Sequence, residues 1–225
     1  NSDSINKSFE VSCQYYSNVK MLNSFRLARQ CMPNAFQQRQ LFGWLNIIWN
    51  RVDQSRVKDL GPDKACAEWL LRCGAHVKWV QRPSWTTDYN SLPTGSREEL
   101  KIEEINAEDS CIMGIGFEHL KNLTDVKKIV FKHCIYLDND ALEKLHYVSK
   151  SLMHLKIISC GGITDHGVLS LVELKNLKVL VLYDLPSVEN RESCLNVLKK
   201  ELFNTQIKFP YATVDDADKE LDEKN

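Results

Sequence analysis

The most regular pattern in the chain is a short apolar motif that recurs through its second half. Two apolar residues lie three positions apart, and another follows after one intervening residue. The starting positions of the four copies differ by 24, 26 and 25 residues. This spacing and a strand-like apolar pattern are typical of leucine-rich repeats, whose period is about 20–29 residues. The copies are Ile102-x-x-Ile105-x-Ala107, Val126-x-x-Ile129-x-Phe131, Leu152-x-x-Leu155-x-Ile157 and Leu177-x-x-Leu180-x-Leu182.

The residues that follow each motif also agree between copies. An inward position three residues past each strand is predicted to stack as a ladder, formed by Ser110, Cys134, Cys160 and Leu185. The stretches LDNDALEKL and ITDHGVLSL then have helical spacing, and Asp138 and either Thr164 or Asp165 are placed to cap those helices. Gly161 and Gly162 are expected to form the tight turn after a strand. His166 is expected to face solvent.

The region before the repeats has a helical pattern instead. Trp44, Leu45, Ile48 and Val52 are at helical spacing, GPD then opens a second helix, and Gly74 is its predicted end. The sequence therefore predicts an α/β protein: a short leucine-rich-repeat solenoid of about four repeats with an N-terminal α-helical capping subdomain. The helical subdomain covers 41–76, and the repeats with a C-terminal cap cover 77–209.

Both ends of the chain have a biased composition. From Met21 onward no acidic residue occurs before Asp53, whereas arginine recurs and apolar residues share a helical face. We interpret 1–40 as an upstream segment and a mitochondrial transit peptide, the alternative being an ordinary basic helix. Residues 210–225 are rich in acidic residues and are predicted to be a disordered acidic tail.

Composition restricts the function classes further. A formal net charge of -1 argues against a nucleic-acid-binding protein, which needs clustered lysine and arginine. No apolar run approaches the roughly 20 residues of a transmembrane helix, so we expect a soluble protein or one peripheral to a membrane. The eight cysteines include no CxxC pair, which argues against a zinc site and favours structural thiols in a reducing compartment.

No stretch of the sequence predicts catalysis. GIGF at 114–117 lacks the third glycine of a dinucleotide-binding loop, and neither a Walker motif nor GxSxG occurs. His133 and Cys134 are neighbours, but adjacent residues of a strand point to opposite faces and make a poor nucleophile–base pair. We therefore expect a protein-binding molecule and not an enzyme.

Several long stretches resemble one known family. FGWLNIIWNRVD, LGPDKACAEWLLRCGA, DYNSLPTG, INAEDSCIM, GIGFEHL, IISCGGITDHG and LVLYDLPSV look like mitochondrial ATP synthase subunit s, also called coupling factor B. The resemblance runs in order from Phe42 to Leu202. A sister family, the assembly factors of the distal membrane arm of respiratory complex I, shares the repeat architecture.

The resemblance implies a monomeric, non-enzymatic protein, peripheral on the matrix side of the mitochondrial inner membrane. Its implied partners are membrane-sector subunits of ATP synthase and the inner-membrane surface, and its implied role is proton conduction through that sector and its coupling to ATP synthesis. The alternatives are an assembly factor for the complex I membrane arm and an F-box-type leucine-rich-repeat adaptor, in which 41–75 would bind the adaptor.

The resemblance also implies two sites. Family members bind Mg²⁺ through backbone carbonyls at the junction of the helices and the repeats, and the matching residues here are Gly74 and Glu108. The family is also linked to a reactive Cys-x-Cys pair in the second repeat. Here Lys132-His133-Cys134 keeps one of the two thiols, which leaves Cys134 as the thiol candidate.

A binding surface is predicted from the strand faces. The residues expected to be exposed there form a mixed, mildly basic patch suited to an acidic partner or anionic lipid headgroups, the alternative being an ordinary solvated face. They are Lys101, Glu103, Lys127, Lys128, His154 and Lys156. Trp79, Trp85 and Tyr89 are expected to seal the junction between helices and repeats, the alternative being contact with a partner.

Overall fold

A computed structural model of the chain describes residues 44–96 and 99–210. The chain divides into two compact units, residues 1–49 and 50–225. The described part of the first unit, 44–49, is helical. All further description concerns the second unit. The predicted transit peptide within 1–40 and the acidic tail from residue 211 onward lie outside the described residues.

The second unit begins with two helices separated by a single glycine. They are α1 (Gln54–Leu60) and α2 (Pro62–Arg72). Asp53 caps α1 by accepting hydrogen bonds from the backbone amides of Ser55 and Arg56. Gly61 has a φ of 88°, a conformation that favours glycine, and Pro62 then starts α2 in a position where its missing amide proton is not needed. This confirms the predicted second helix, which buries residues from Ala65 to Leu71.

An open sheet of seven strands follows, in the order β2-β1-β3-β4-β5-β6-β7. β1 pairs antiparallel with both β2 and β3, whereas β3 to β7 are all parallel. The protein is thus mixed α/β, as predicted. The strands are β1 (His76–Trp79), β2 (Trp85–Thr86), β3 (Ile102–Glu108), β4 (Lys128–Lys132), β5 (His154–Ile158), β6 (Val179–Tyr183) and β7 (Gln206–Lys208).

The register of the parallel strands is the one that the apolar motif predicts. Ile105, Ile129, Leu155 and Leu180 lie in one row, and all four are buried. Ala107, Phe131, Ile157 and Leu182 form a second buried row. Because side chains alternate across a strand, both rows point to the same side, where they meet the helices in one core. β7 adds a fifth parallel strand that the motif does not predict.

Short helices return the chain from each strand to the next. They are the 3₁₀ helices Tyr89–Ser91, Gly114–Leu120, Lys144–Val148 and Leu171–Glu173, and the α-helices α3 (Asn139–Glu143), α4 (Asp165–Ser170) and α5 (Arg191–Glu201). Asp138 caps α3 by accepting from the amide of Ala141 at 3.0 Å, as predicted. Thr164 occupies the N-cap position of α4, but its hydroxyl accepts from the side-chain amide of Asn139 at 2.9 Å and makes no cap hydrogen bond, and Asp165 does not cap the helix either. Its carboxylate accepts instead from the amides of Glu189 and Asn190, and so ties two successive loops together.

One left-handed residue begins the turn after each of four strands. Asp109, His133, Ser159 and Asp184 all have positive φ, between 46° and 53°. Gly161 and Gly162 lie in the turn that follows, as expected, but neither has a positive φ. Gly162 is needed for a different reason, because a Cβ there would lie 2.4 Å from the carbonyl oxygen of Leu137 in the preceding repeat.

Candidate functional site

The two residues implied to hold a metal, Gly74 and Glu108, are both in the junction where α2 joins the sheet. β1 and β3 pair His76 with Asn106, and Gly74 and Glu108 each lie two residues beyond this pair, Gly74 before His76 and Glu108 after Asn106. On the other side the amide of Cys111 donates to the carbonyl of Cys73 at 2.9 Å, so the two positions are bracketed by paired backbone. Gly74 has a φ of 84°, and its own amide donates back to Leu71 at the end of α2.

The side chains around this point are rich in oxygen ligands. Ligand atoms of Glu108, Asp109 and His133 all lie within 4.8 Å of one another, at the exposed ends of β3 and β4. The Lys132 ammonium lies 3.2 Å from Glu108 and offsets part of the negative charge. Backbone carbonyls and carboxylates are the ligands that Mg²⁺ prefers, and it retains several waters when few protein ligands are present. The residues present therefore fit the implied cation.

Asn50 holds the same junction from inside, and sequence reasoning missed it. The residue is fully buried, and its side-chain oxygen accepts from the indole of Trp69 at 3.0 Å and from the amide of Met113 at 2.9 Å. Its side-chain nitrogen donates to the carbonyl of Cys111 at 3.1 Å. One amide group thus connects α2 to the loop that follows β3. No local pattern identifies such a residue, because its partners are up to 63 positions away.

Asp63 forms a second connection between the helices and the sheet. One carboxylate oxygen accepts from the amide of Ile102, the first residue of β3, at 3.0 Å. The other accepts from the ammonium of Lys101 at 3.0 Å, and Asp63 itself is buried. Lys101 therefore does not belong to the open binding patch in which the sequence placed it.

The face of the sheet opposite the core carries an excess of positive charge. Alternation places Glu104 and Glu108 there with the lysines of β4, β5 and β7, which are Lys128, Lys132, Lys156 and Lys208. Lys128, His154 and Lys156 are thus on this outward face as predicted. Glu103 lies near the start of β3 and Lys127 lies just before β4. The two side chains form an ion pair of 2.8 Å with each other.

The charges on this face are not evenly compensated. Glu104 lies 2.9 Å from Lys78 and 3.2 Å from Lys128, so the acidic residues of β3 are matched by lysines. Toward β7 the lysines face one another. Burial and the nearby ammonium groups of Lys128 and Lys208 lower the pKa of Lys156. Lysines thus outnumber acidic residues among the outward positions of β5 to β7.

The three aromatic residues expected at the junction behave differently from one another. Trp79 is buried, and its indole donates to the hydroxyl of Thr86 at 3.0 Å, as a sealing residue should. Tyr89 is half-buried. Trp85 is 40% exposed, so its expected sealing role was wrong. The reason is its place on β2, a two-residue strand at the edge of the sheet.

Cys134 is a core residue, as its place in the predicted ladder requires. It is fully buried, its thiol donates to the carbonyl of Ala107 at 2.8 Å, and its sulfur lies 3.3 Å from the hydroxyl of Ser110. Cys160 stacks on its other side, where the hydrogen bond with Cys134 and burial raise the pKa of the Cys160 thiol. His133 points away to Asp109, so His133 and Cys134 form no catalytic pair.

A second pair of neighbouring thiols lies beside the candidate metal position. Cys73 and Cys111 flank it, and their backbones are hydrogen-bonded to each other. The hydrogen bond from Cys73 lowers the pKa of the Cys111 thiol. Cys111 is only partly buried, whereas Cys66, Cys73, Cys134, Cys160 and Cys194 are all buried. Within the described part of the chain, Cys111 is thus the thiol best placed to react.

The described residues define a class of protein: mixed α/β, with an open sheet of repeated parallel strands and two helices joined to its first strands by buried polar residues. Among these residues we find no helix with the length and apolar character needed to span a membrane. No protein-family model matches the chain.

Curated relatives identify the family. The proteins named ATP synthase subunit s, mitochondrial, from Pongo abelii and Homo sapiens are each 44% identical over 181 residues, which cover 79% of this chain and 90% of the relative. Distal membrane arm assembly component 2 of Drosophila melanogaster is 23% identical over 180 residues, covering 75% of this chain and 63% of that protein. The chain belongs to the family of mitochondrial ATP synthase subunit s, as the sequence motifs indicated.

Proposed function

We propose that the chain is a non-enzymatic coupling factor that associates with the membrane sector of mitochondrial ATP synthase. The observation that carries this proposal is the 44% identity to subunit s proteins over 90% of their length. In this role the chain lies as a monomer on the matrix side of the inner membrane and supports proton conduction and its coupling to ATP synthesis.

The proposed architecture for this role is a short leucine-rich-repeat solenoid. Two observations support it: the repeat period of 24 to 26 residues and the in-register parallel strands β3 to β7. In such a solenoid each coil packs only on its neighbours, and the strands line an extended binding surface. The outward lysines give this surface the charge to bind acidic protein segments or anionic lipid headgroups.

We further propose that Mg²⁺ binds at the junction through the carbonyl oxygens of Gly74 and Glu108. The place of both residues in the junction between two backbone pairings, and the nearby carboxylates, support this assignment. The ion would fix the end of α2 relative to the end of β3 without taking part in chemistry.

An affinity isolation from mitochondria tests the proposed association. The full chain is tagged at its C-terminus, the membranes are solubilised in mild detergent, and co-purifying proteins are quantified. Membrane-sector subunits of ATP synthase are the expected partners. A lysine-to-glutamate change at Lys156 should reduce their recovery, while the same change at Lys175, which lies on the helical side and pairs with Glu201, should not.

Recovery of complex I membrane-arm intermediates would instead support the assembly-factor alternative. The observation that favours this second candidate is the 23% identity to a distal membrane arm assembly component. If neither set of proteins co-purifies, the proposed association is wrong.

A further inference from the structure

Two cysteines from distant parts of the sequence are in contact at the junction between α2 and the sheet. Cys73 ends α2, and Cys111 lies in the loop that follows β3. The backbone amide of Cys111 donates to the carbonyl of Cys73 at 2.9 Å, and the two thiols are hydrogen-bonded to each other. Neither the proposed function nor the candidate cation site makes use of these two sulfur atoms.

The backbone hydrogen bond brings the two residues to the separation that a disulfide needs. By standard bond lengths, a Cα atom lies about 2.4 Å from its own carbonyl oxygen and about 1.5 Å from its own amide nitrogen. With 2.9 Å between the Cys73 oxygen and the Cys111 nitrogen, the two Cα atoms are at most about 6.8 Å apart. Disulfides usually join residues whose Cα atoms are about 4.4–6.8 Å apart. The hydrogen bond between the thiols shows that both side chains point to the same place.

We propose that Cys73 and Cys111 are a reversible redox pair that hydrogen peroxide converts to a disulfide. Cys73 belongs to the core cluster, whereas Cys111 packs against that cluster and is only partly buried, so peroxide reaches Cys111 first. Cys73 is then the resolving thiol. Disulfides in a reducing compartment are usually transient and serve catalysis or redox sensing, and sensing is the role that fits a protein without a catalytic site. This inference does not depend on the proposed association with ATP synthase.

The reaction proceeds in two balanced steps. The Cys111 thiolate attacks one oxygen of hydrogen peroxide, the O–O bond breaks, and a sulfenic acid forms while hydroxide leaves and takes up a proton to become water. The Cys73 sulfur then attacks the Cys111 sulfur, the S–O bond breaks, and a second water leaves with the proton of the Cys73 thiol. A dithiol reductant returns the two electrons. Because the sulfur atoms bond directly, the pair needs no room for a bridging atom such as arsenic.

The thiols of the ladder do not share this arrangement. Cys134 and Cys160 are also hydrogen-bonded to each other, but both belong to the core cluster, so neither offers peroxide a partly exposed sulfur. Their thiols also donate to backbone carbonyls, Cys134 to Ala107 at 2.8 Å and Cys160 to Ile158 at 3.3 Å. We therefore expect a disulfide at the junction and none in the ladder.

The disulfide would join the end of α2 covalently to the loop after β3. The two cysteines flank the candidate cation position, since Gly74 follows Cys73 directly and Glu108 precedes Cys111 by three residues. Oxidation would therefore restrict local opening of the junction, and reduction would restore it.

Peptide mapping of the full chain without reduction tests the proposal. The reduced chain is treated with hydrogen peroxide, the remaining thiols are alkylated, and the digested peptides are identified by mass spectrometry. We expect the peptides with Cys73 and Cys111 to be joined with the loss of two hydrogens, and to separate on treatment with dithiothreitol. Cys66→Ser, in the same helix, is the control and should leave this bond unchanged. A sulfinic acid at Cys111 with the Cys73 thiol still free, or two unreacted thiols, would overturn the proposal.

Trapping of the sulfenic acid with dimedone gives an independent readout. In the native chain Cys73 consumes this intermediate, so little dimedone adduct should form at Cys111. Cys73→Ser removes the resolving thiol and should raise the amount of adduct at Cys111 about tenfold. Cys66→Ser should not raise it. Equal amounts of adduct in the native chain and in a folded Cys73→Ser variant would contradict the resolving role, and the peptide map of the native chain decides the matter if that variant does not fold.

Discussion

Gly74 and Glu108 lie in the same junction, where the second helix meets the first parallel strand. The pair is bracketed by the His76–Asn106 register on one side and by the Cys73–Cys111 hydrogen bond on the other. The relationship brings together two residues 34 positions apart in sequence, and it makes their carbonyls candidates to share one cation. In this arrangement Glu108 would bind the cation through its backbone carbonyl, and its side-chain carboxylate would not be required.

Mg²⁺ binding should therefore survive loss of the Glu108 charge. Glu108→Gln keeps the backbone carbonyl, and we expect its affinity for Mg²⁺ to stay within about threefold of the native value, the change reflecting long-range charge only. Gly74→Ala should weaken binding more and lower the free energy of unfolding by about 1–3 kcal/mol, because alanine is strained at positive φ. Titration calorimetry measures the affinity for Mg²⁺, and urea unfolding measures the free energy of unfolding. Loss of binding in Glu108→Gln alone would show that the carboxylate is the ligand.

Asp63 should be among the most important polar residues for stability. Asp63→Ala leaves the buried amide of Ile102 without its acceptor and removes the partner of Lys101, so we expect a loss of about 3 kcal/mol in the free energy of unfolding. Asp63→Asn retains an acceptor and should lose about half as much. Urea denaturation provides the measurement. The exposed Glu189→Ala is the control and should stay within about 0.5 kcal/mol of the native chain; an equally small effect at Asp63 would contradict the assignment.

The free energy of unfolding should decrease as the pH is lowered, because His119 takes up a proton more readily in the unfolded chain than in the folded one. Burial lowers the pKa of His119 from 6.5 to about 4, and its ring stacks on Trp69 with centroids 5.1 Å apart. Because the unfolded chain accepts a proton near 6.5 and the folded chain does not until about 4, stability is lost as the pH falls across this window. The maximum loss is about 3 kcal/mol.

The variant that removes this dependence is His119→Phe. As the pH is lowered from about 7 to about 4, the free energy of unfolding of this variant should rise by about 3 kcal/mol relative to that of the native chain. Urea unfolding at each pH provides the measurement. His166→Gln, at a position exposed to solvent, should show no such relative gain. If the free energies of unfolding of His119→Phe and the native chain differed by the same amount at every pH, His119 would be protonated equally in the folded and the unfolded states.

Thiol reagents should react first at Cys111 among the six cysteines that the structure describes. Its lowered pKa favours the thiolate and it is partly accessible, whereas Cys134 and Cys160 are enclosed in the ladder. Mass spectrometry after brief alkylation of the folded chain ranks the sites. Because Lys132-His133-Cys134 keeps one thiol of the family's Cys-x-Cys pair, and because Cys73 beside Cys111 is buried, we also expect resistance to bridging arsenicals at concentrations that inhibit a family member with that pair. Alkylation of Cys134 as fast as Cys111 would contradict the buried assignment.

Much of the sheet could be predicted because its determinants are periodic. Each motif places apolar side chains at alternating positions of one strand, and only one register buries all of them, so the rows through Ile129 and Phe131 follow from the sequence. β7 was missed because Gln206–Lys208 is a three-residue strand with a single apolar residue. β2 is shorter still, and its exposed Trp85 looked like a core residue.

The polar connections could not be predicted because they join distant parts of the chain. Asn50, Asp63 and Asp165 find their partners 19 to 63 positions away, beyond any local pattern. Residues of these types also occur at caps and on solvated surfaces, which is how Asp165 was interpreted. The implied metal position came from family resemblance, and the structure adds only that both residues lie between the His76–Asn106 pair and the Cys73–Cys111 hydrogen bond.

Proton conduction in the inner membrane tests the central claim most directly. Membrane vesicles from mitochondria that lack the chain are supplied with the purified full chain, and ATP-driven proton uptake and respiration-driven ATP synthesis are measured. We predict that the native chain restores both, and that Lys156→Glu restores them less well than the control Lys175→Glu. Unchanged proton uptake, with recovery of complex I activity instead, would contradict the account.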